Sequence, residues 1–165
     1  MRELKREEGG WVLALSWLSA LEEVARDFHG TRPRAFCERA YEHATENYLR
    51  ILENEYGIKA QSVDSIKKAV EEYIRVGVKG RLFTDASQFE LTETNPNRLE
   101  LVVHKCPYLK SCEALLKEGI RLKDLTCARI GAFRAAALHL ADIDCTYEVT
   151  AFAIEETCRG SIERK

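Results

Sequence analysis

A chain of 165 residues with a formal net charge of -2 has room for one hydrophobic core and offers no overall electrostatic case for nucleic acid as a partner. Apolar residues make up 45% and charged residues 32%, with acidic and basic side chains interleaved and no long run of one sign. The start, Met1 to Glu8, is too acidic for the positive end of a signal peptide, and the apolar stretch from Trp11 to Leu21 is broken by serines and far short of a span; the expectation is a cytoplasmic protein with no membrane partner.

Trp11, Ala14, Leu15, Leu18, Leu21, Ala25 and Phe28 recur at helical spacing, which predicts a first helix from about Gly10 to Phe28. Trp11, Val12, Leu13, Leu15, Trp17 and Leu18 cover more than one stripe of it. A helix apolar over so much of its surface is buried or meets a partner, so a homodimer packed through this helix is expected. Thr31 and Pro33 open a long second helix, with Phe36, Ala40, Tyr41, Ala44, Tyr48, Ile51 and Leu52 as its stripe and Gly57 as its stop. Ser62 or Asp64 can cap a third, with Val63, Ile66, Val70, Tyr73 and Ile74 turned inward as far as Gly77.

The period then changes. Phe89 to Thr92 and Leu99 to His104 alternate, and Asn95-Pro96-Asn97 between them is a turn, so a hairpin is expected. Pro107 ends it. A short helix from Leu109 to Lys117 follows, then a helix rich in small residues from Cys127 to Ala141, capped by Thr126. Thr146 to Glu156 is β-like, Cys158-Arg159-Gly160 has the composition of a turn, and Ser161 to Arg164 suits a short return strand. The whole predicts a single α+β domain: a helical half over 10–77, and a cysteine-rich half over 88–164 whose two hairpins form an antiparallel sheet packed with helices.

Five of the six cysteines lie in that second half. His104 and Cys106 are two apart, which on an extended strand places them on one face. Cys127 opens a helix, where a thiol's pKa falls toward the thiolate that metals need, and Cys158 belongs to the last hairpin. Thiolate and imidazole suit zinc, so His104, Cys106, Cys127 and Cys158 are the candidate metal ligands, with Cys112 or Cys145 as replacements for Cys158. No Cys-x2-Cys pair is present, so the fold must assemble any such site. The competing reading is that free cysteines are small buried hydrophobes. Cys37 and His43 on the second helix read as packing and as a solvated side chain. No Gly-x-Ser-x-Gly, P-loop or dinucleotide fingerprint occurs, and no catalytic residue is assigned.

The strand from Leu99 to Cys106, the helix opening Cys127-Ala-Arg-Ile-Gly131-Ala-Phe-Arg-Ala and the final hairpin from Tyr147 to Cys158 together resemble the 4-vinyl reductase-type domain family. Cys106-Pro107-Tyr108 with its later cysteines is similar to the aminothiazoline-carboxylate hydrolase-like family. The chain departs from the 4-vinyl reductase pattern in having Arg159-Gly160 after its last cysteine and no Gly-Asp before it. The resemblance implies an α+β fold shared with haem-based nitric-oxide sensors and vesicle-tethering subunits. It also implies a cavity between helices and sheet and, in some members, a cysteine-bound metal.

The function expected is therefore binding of a small apolar or mixed-polarity molecule, with zinc as the cofactor. Phe36, Tyr41, Tyr48 and Phe133 are expected as walls of the ligand site and His139 as its orienting polar group. Core packing is the competing reading for each of these residues. Two rivals stand beside this function. One is a hydrolase that uses Cys106 as nucleophile or the metal as Lewis acid; the other is a structural interaction subunit.

Overall fold

The computed structural model describes residues 34–152 and 157–165, with residues 14, 16–18, 20, 21, 23–25, 27 and 28 before them. Those earlier residues are helical. The expected contributions of Trp11, Val12, Leu13, Leu15, Thr31 and Pro33 lie outside the described residues.

Four described helices follow. α1 spans Arg34–Tyr56 and α2 spans Ile66–Lys79. The cap of α2 is Ser65, between and beyond the two candidates Ser62 and Asp64; its side chain accepts from the Lys68 amide. α3 spans Leu109–Lys117 and α4 spans Ala128–Ala141. α4 is capped by Cys127 rather than Thr126, with the sulfur accepting from the Ile130 amide at 3.5 Å.

The strands are β1, Phe89–Asn95; β2, Arg98–His104; β3, Cys145–Phe152; and β4, Thr157–Arg164. They form one antiparallel sheet in the order β1-β2-β4-β3. The α+β architecture of two hairpins packed with helices is thus present. One sequence reading is corrected. Cys158-Arg159-Gly160 is not a turn but the middle of the sheet: Cys158 pairs with Val103 and Phe152, and Gly160 with Leu101 and Val149. The reason is local crowding. A β-carbon at Gly160 would lie 2.4 Å from Ile130 Cδ1 and 2.5 Å from the Glu148 carbonyl oxygen, so glycine lets α4 lie on this strand.

The inner face of the sheet is apolar: Leu99, Leu101 and Val103 of β2, Tyr147 and Val149 of β3, and Ile162 of β4 are all buried. α4 lies across it, with α1 and α2 packed against the helix from the other side. A helix enclosed on all sides cannot be amphipathic, which is why its apolar and small residues run round the whole circumference. Its two arginines, Arg129 and Arg134, are nonetheless buried. The close approach at Gly131 is to Tyr41 of α1, not to the sheet.

Arg134 is fully engaged. Its Nε donates to the Cys145 carbonyl at 2.7 Å, Nη2 meets Asp144 at 2.8 Å, and Nη1 pairs with Glu42. This ties α4 at once to α1 and to the start of β3. A buried ion pair persists only when its hydrogen bonds are satisfied in this way.

Candidate functional site

The geometry of the thiol region begins at the end of β2. His104 continues the outward row of that strand and hydrogen-bonds with Glu90 of β1 at 2.6 Å. Lys105 then takes φ 51, a left-handed conformation unusual for a residue with a β-carbon. The strand alternation stops there, so His104 and Cys106 do not share a face as the two-residue spacing predicts. His104 stays at the surface and Cys106 turns into the core, 7% exposed. Among the ligands expected for zinc, His104 is the one the fold does not bring to the others.

The other three do converge. Cys106 accepts a hydrogen bond from the Cys158 thiol, and Cys127 and Cys112 lie near enough to influence Cys158 electrostatically. All four sulfurs belong to one buried cluster. Cys145 stands apart, at the far end of β3, where its thiol donates to the Ile143 carbonyl at 3.5 Å. It does not replace Cys158.

The hydrogen bond from Cys158 brings the Cys106 pKa down to about 7 against the opposing effect of burial, with help from the Tyr108 amide and from Arg129. The same contact, followed by burial, pushes Cys158 upward. Burial pushes Cys127 up to about 12, outweighing the helix-end amide that its sulfur accepts from. A helix N-terminus alone thus does not make Cys127 a thiolate.

Arg129 is the residue that sequence reasoning missed. It is 5% exposed, with its guanidinium 4.5 Å from the centre of the Phe83 ring and 5.5 Å from that of Tyr108. From there it reaches the Cys106 sulfur on one side and bears on the Tyr73 and Tyr48 hydroxyls on the other. The signal in the sequence was an arginine two places after Cys127, inside a helix otherwise made of small and apolar residues. A cation there needs a partner in the core.

These surroundings do not fit a closed zinc site. Among the described residues, no group of three or more His, Cys, Asp or Glu side chains is disposed to hold a metal ion. The cation beside Cys106 is Arg129, and the expected imidazole ligand is at the surface.

Beyond Arg129 lies a second group of polar atoms. Tyr73 is buried, and burial raises its hydroxyl pKa to about 12. Its ring packs edge-on against Tyr48, Phe83 and Phe133, with centroids 6.1, 6.2 and 6.0 Å away. The Thr45 and Tyr48 hydroxyl oxygens are both buried without a hydrogen-bond partner of good geometry, although Thr45 faces Tyr73. The Tyr48 hydroxyl reaches the backbone at Gly80, where a β-carbon would lie 2.6 Å from it.

The residues expected to line a ligand site therefore separate. Tyr48 and Phe133 meet through Tyr73. Tyr41 is buried against Gly131, while Phe36 is 41% exposed. The His139 ring meets the Glu42 carbonyl oxygen at 3.1 Å, which ties α4 to α1. Elsewhere, an open groove of about 570 Å³ runs beside β1, floored by Ile74, Val78, Phe89 and Leu91. Its Arg75 is already taken by Glu72 at 2.6 Å and by the Lys59 carbonyl at 2.8 Å.

No described helix is long and apolar enough to cross a membrane. No family model matches the sequence, and no curated protein matches it. Two solved structures are similar to it: the Fe(II) unliganded H-NOX protein from K. algicida, at 14% identity and a TM-score of 0.41, and a mutant of that protein, at 13% and 0.40. Each alignment covers 78% of this chain and 63% of that chain, and the site is accordingly read from its own geometry.

Proposed function

We propose that the chain is a small-molecule-binding domain whose ligand enters the interior between α1, α2 and α4, beside Arg129. One observation carries this reading: the buried hydroxyls of Thr45 and Tyr48 lack partners next to a buried cation. A buried hydroxyl without a hydrogen bond costs on the order of 1–3 kcal/mol, and folded proteins keep few of them. A ligand with an acceptor group, such as a carboxylate or a carbonyl, would satisfy both hydroxyls and pair with the guanidinium. Its apolar body would lie against Phe83 and Phe133. The ligand class is thus the mixed-polarity one expected from the sequence, with Arg129 in the orienting place given there to His139. The hydrolase alternative needs a thiol with a base in reach, and the base it would use, His104, is turned to Glu90 instead.

The test is a thermal-shift panel of aromatic and medium-chain carboxylic acids on the intact chain. A binder present at one hundred times its dissociation constant adds about 2.7 kcal/mol of stability. Tyr48→Phe and Thr45→Val are expected to keep or raise the ligand-free stability, because each removes an unpaired hydroxyl, and to weaken the shift at least several-fold. A panel without a stabiliser, together with a loss of more than about 1 kcal/mol in ligand-free Tyr48→Phe, refutes the reading: the hydroxyl would then have a partner within the fold.

A further inference from the structure

We propose that Cys106 and Cys158 are an oxidisable dithiol, a modification site at which a peroxide-class oxidant closes a reversible disulfide between the end of β2 and the central strand β4. The inference is independent of the ligand reading.

Three features of the geometry carry it. First, the two sulfurs are already in hydrogen-bonding contact, donor on Cys158 and acceptor on Cys106. Second, that contact joins segments held in place by the sheet: Cys158 is opposite Val103, and the left-handed Lys105 turns the chain back so that Cys106 reaches it. Third, Arg129 is fixed between the Phe83 and Tyr108 rings, where its charge favours a sulfur anion at Cys106. A thiol beside a guanidinium and under a thiol donor is the kind that reacts. Its lowered pKa, about 7, agrees with this. Cys127 and Cys145, with pKa values raised to about 12 and about 11 by burial, remain protonated.

The chemistry balances without a cofactor. The Cys106 thiolate attacks one oxygen of hydrogen peroxide and the O–O bond breaks. Hydroxide leaves, takes up the proton that Cys106 released and becomes water, and a sulfenic acid remains on Cys106. The Cys158 sulfur then attacks the Cys106 sulfur, the S–O bond breaks, and the second hydroxide leaves as water with the Cys158 proton. Two electrons have passed from two thiols to one peroxide. A dithiol reductant reverses the bridge by thiol–disulfide exchange.

The experiment uses the intact reduced chain, treated with hydrogen peroxide from one equivalent upward. Thiols are counted after denaturation, and the protein is mapped by peptide mass spectrometry. Two of the six thiols are expected to disappear, the peptides carrying Cys106 and Cys158 to be joined, and dithiothreitol to restore all six. In Cys158→Ser, a sulfenic acid on Cys106 should accumulate and react with dimedone. The mapping of the unmutated chain decides the matter even if that variant folds poorly. Retention of all six thiols in excess peroxide overturns the proposal. So does a bridge between other cysteines, or a zinc-class ion found on these sulfurs by elemental analysis of untreated protein.

Discussion

The Tyr41 ring fills the space that a side chain at position 131 would need: a β-carbon on Gly131 would lie 2.2 Å from Tyr41 Cδ2. Tyr41 is 5% exposed and has little room to withdraw. Gly131→Ala should therefore force α1 and α4 apart and destabilise the fold by about 2–3 kcal/mol, the usual cost of overpacking a filled core. Urea unfolding gives the loss, and Tyr41→Leu in the same chain should restore part of it. Additive effects of the two changes would show that they do not meet.

Glu42 joins the same pair of helices by charge. Burial alone would raise its pKa, but the Arg39 and Arg134 guanidiniums together outweigh that and hold it below its ordinary 4.5. A carboxylate with a depressed folded-state pKa stabilises the fold above its unfolded value, and that stability is lost as pH falls through the depressed one. Stability should thus decline below about pH 4.5 with a contribution that Glu42→Gln abolishes. At neutral pH the same change leaves the Arg134 charge buried and should cost about 3 kcal/mol. Denaturant titrations of both proteins from pH 3 to 7 measure the two effects, and parallel pH profiles would contradict the first.

His104 should prove dispensable. It meets only the exposed Glu90 among the described carboxylates, and surface pairs of this kind are worth at most about 1 kcal/mol. His104→Ala is expected to leave the unfolding midpoint within that margin and the oxidation of Cys106 unchanged. A collapse of the fold on this substitution would bring back the imidazole as a structural ligand.

Trp17, Leu21, Val24 and Phe28 are 64%, 48%, 46% and 80% exposed. They follow one another at steps of four, three and four residues, the spacing of a helical seam. The homodimer expected from the sequence would cover them. Sedimentation equilibrium should show a dimer that Trp17→Glu shifts toward monomer, and a monomeric wild-type chain at high concentration would remove the idea.

The elements were largely legible because their periods were long and their stops explicit. The β1–β2 hairpin, α3 and α4 follow their patterns to within a residue or two. The error at Cys158-Arg159-Gly160 came from giving glycine its commonest local meaning when its use was to admit Ile130 of α4. The site was less legible. Convergence of Cys106, Cys127 and Cys158 followed from where their elements lay, but the exclusion of His104 depended on the φ of one lysine, which composition does not reveal. Arg129 was readable only as a charge out of place. The aromatic residues gave no means of separating Tyr48 and Phe133, which share the Tyr73 cluster, from Tyr41, whose place is against a glycine.

The strand order has a consequence for folding. β1 and β2 are neighbours in sequence and can zip together locally, but β4 must insert between β2 and β3, pairing residues as distant as Leu101 and Gly160. Such long-range pairing is slow to form relative to local hairpins and helices. Cys106 and Cys158 come into contact only when that insertion is complete, since one lies beyond β2 and the other within β4. Their protection from an alkylating reagent during refolding is therefore a clock for the closing of the sheet, set by the chain's own side chains and readable without an added label.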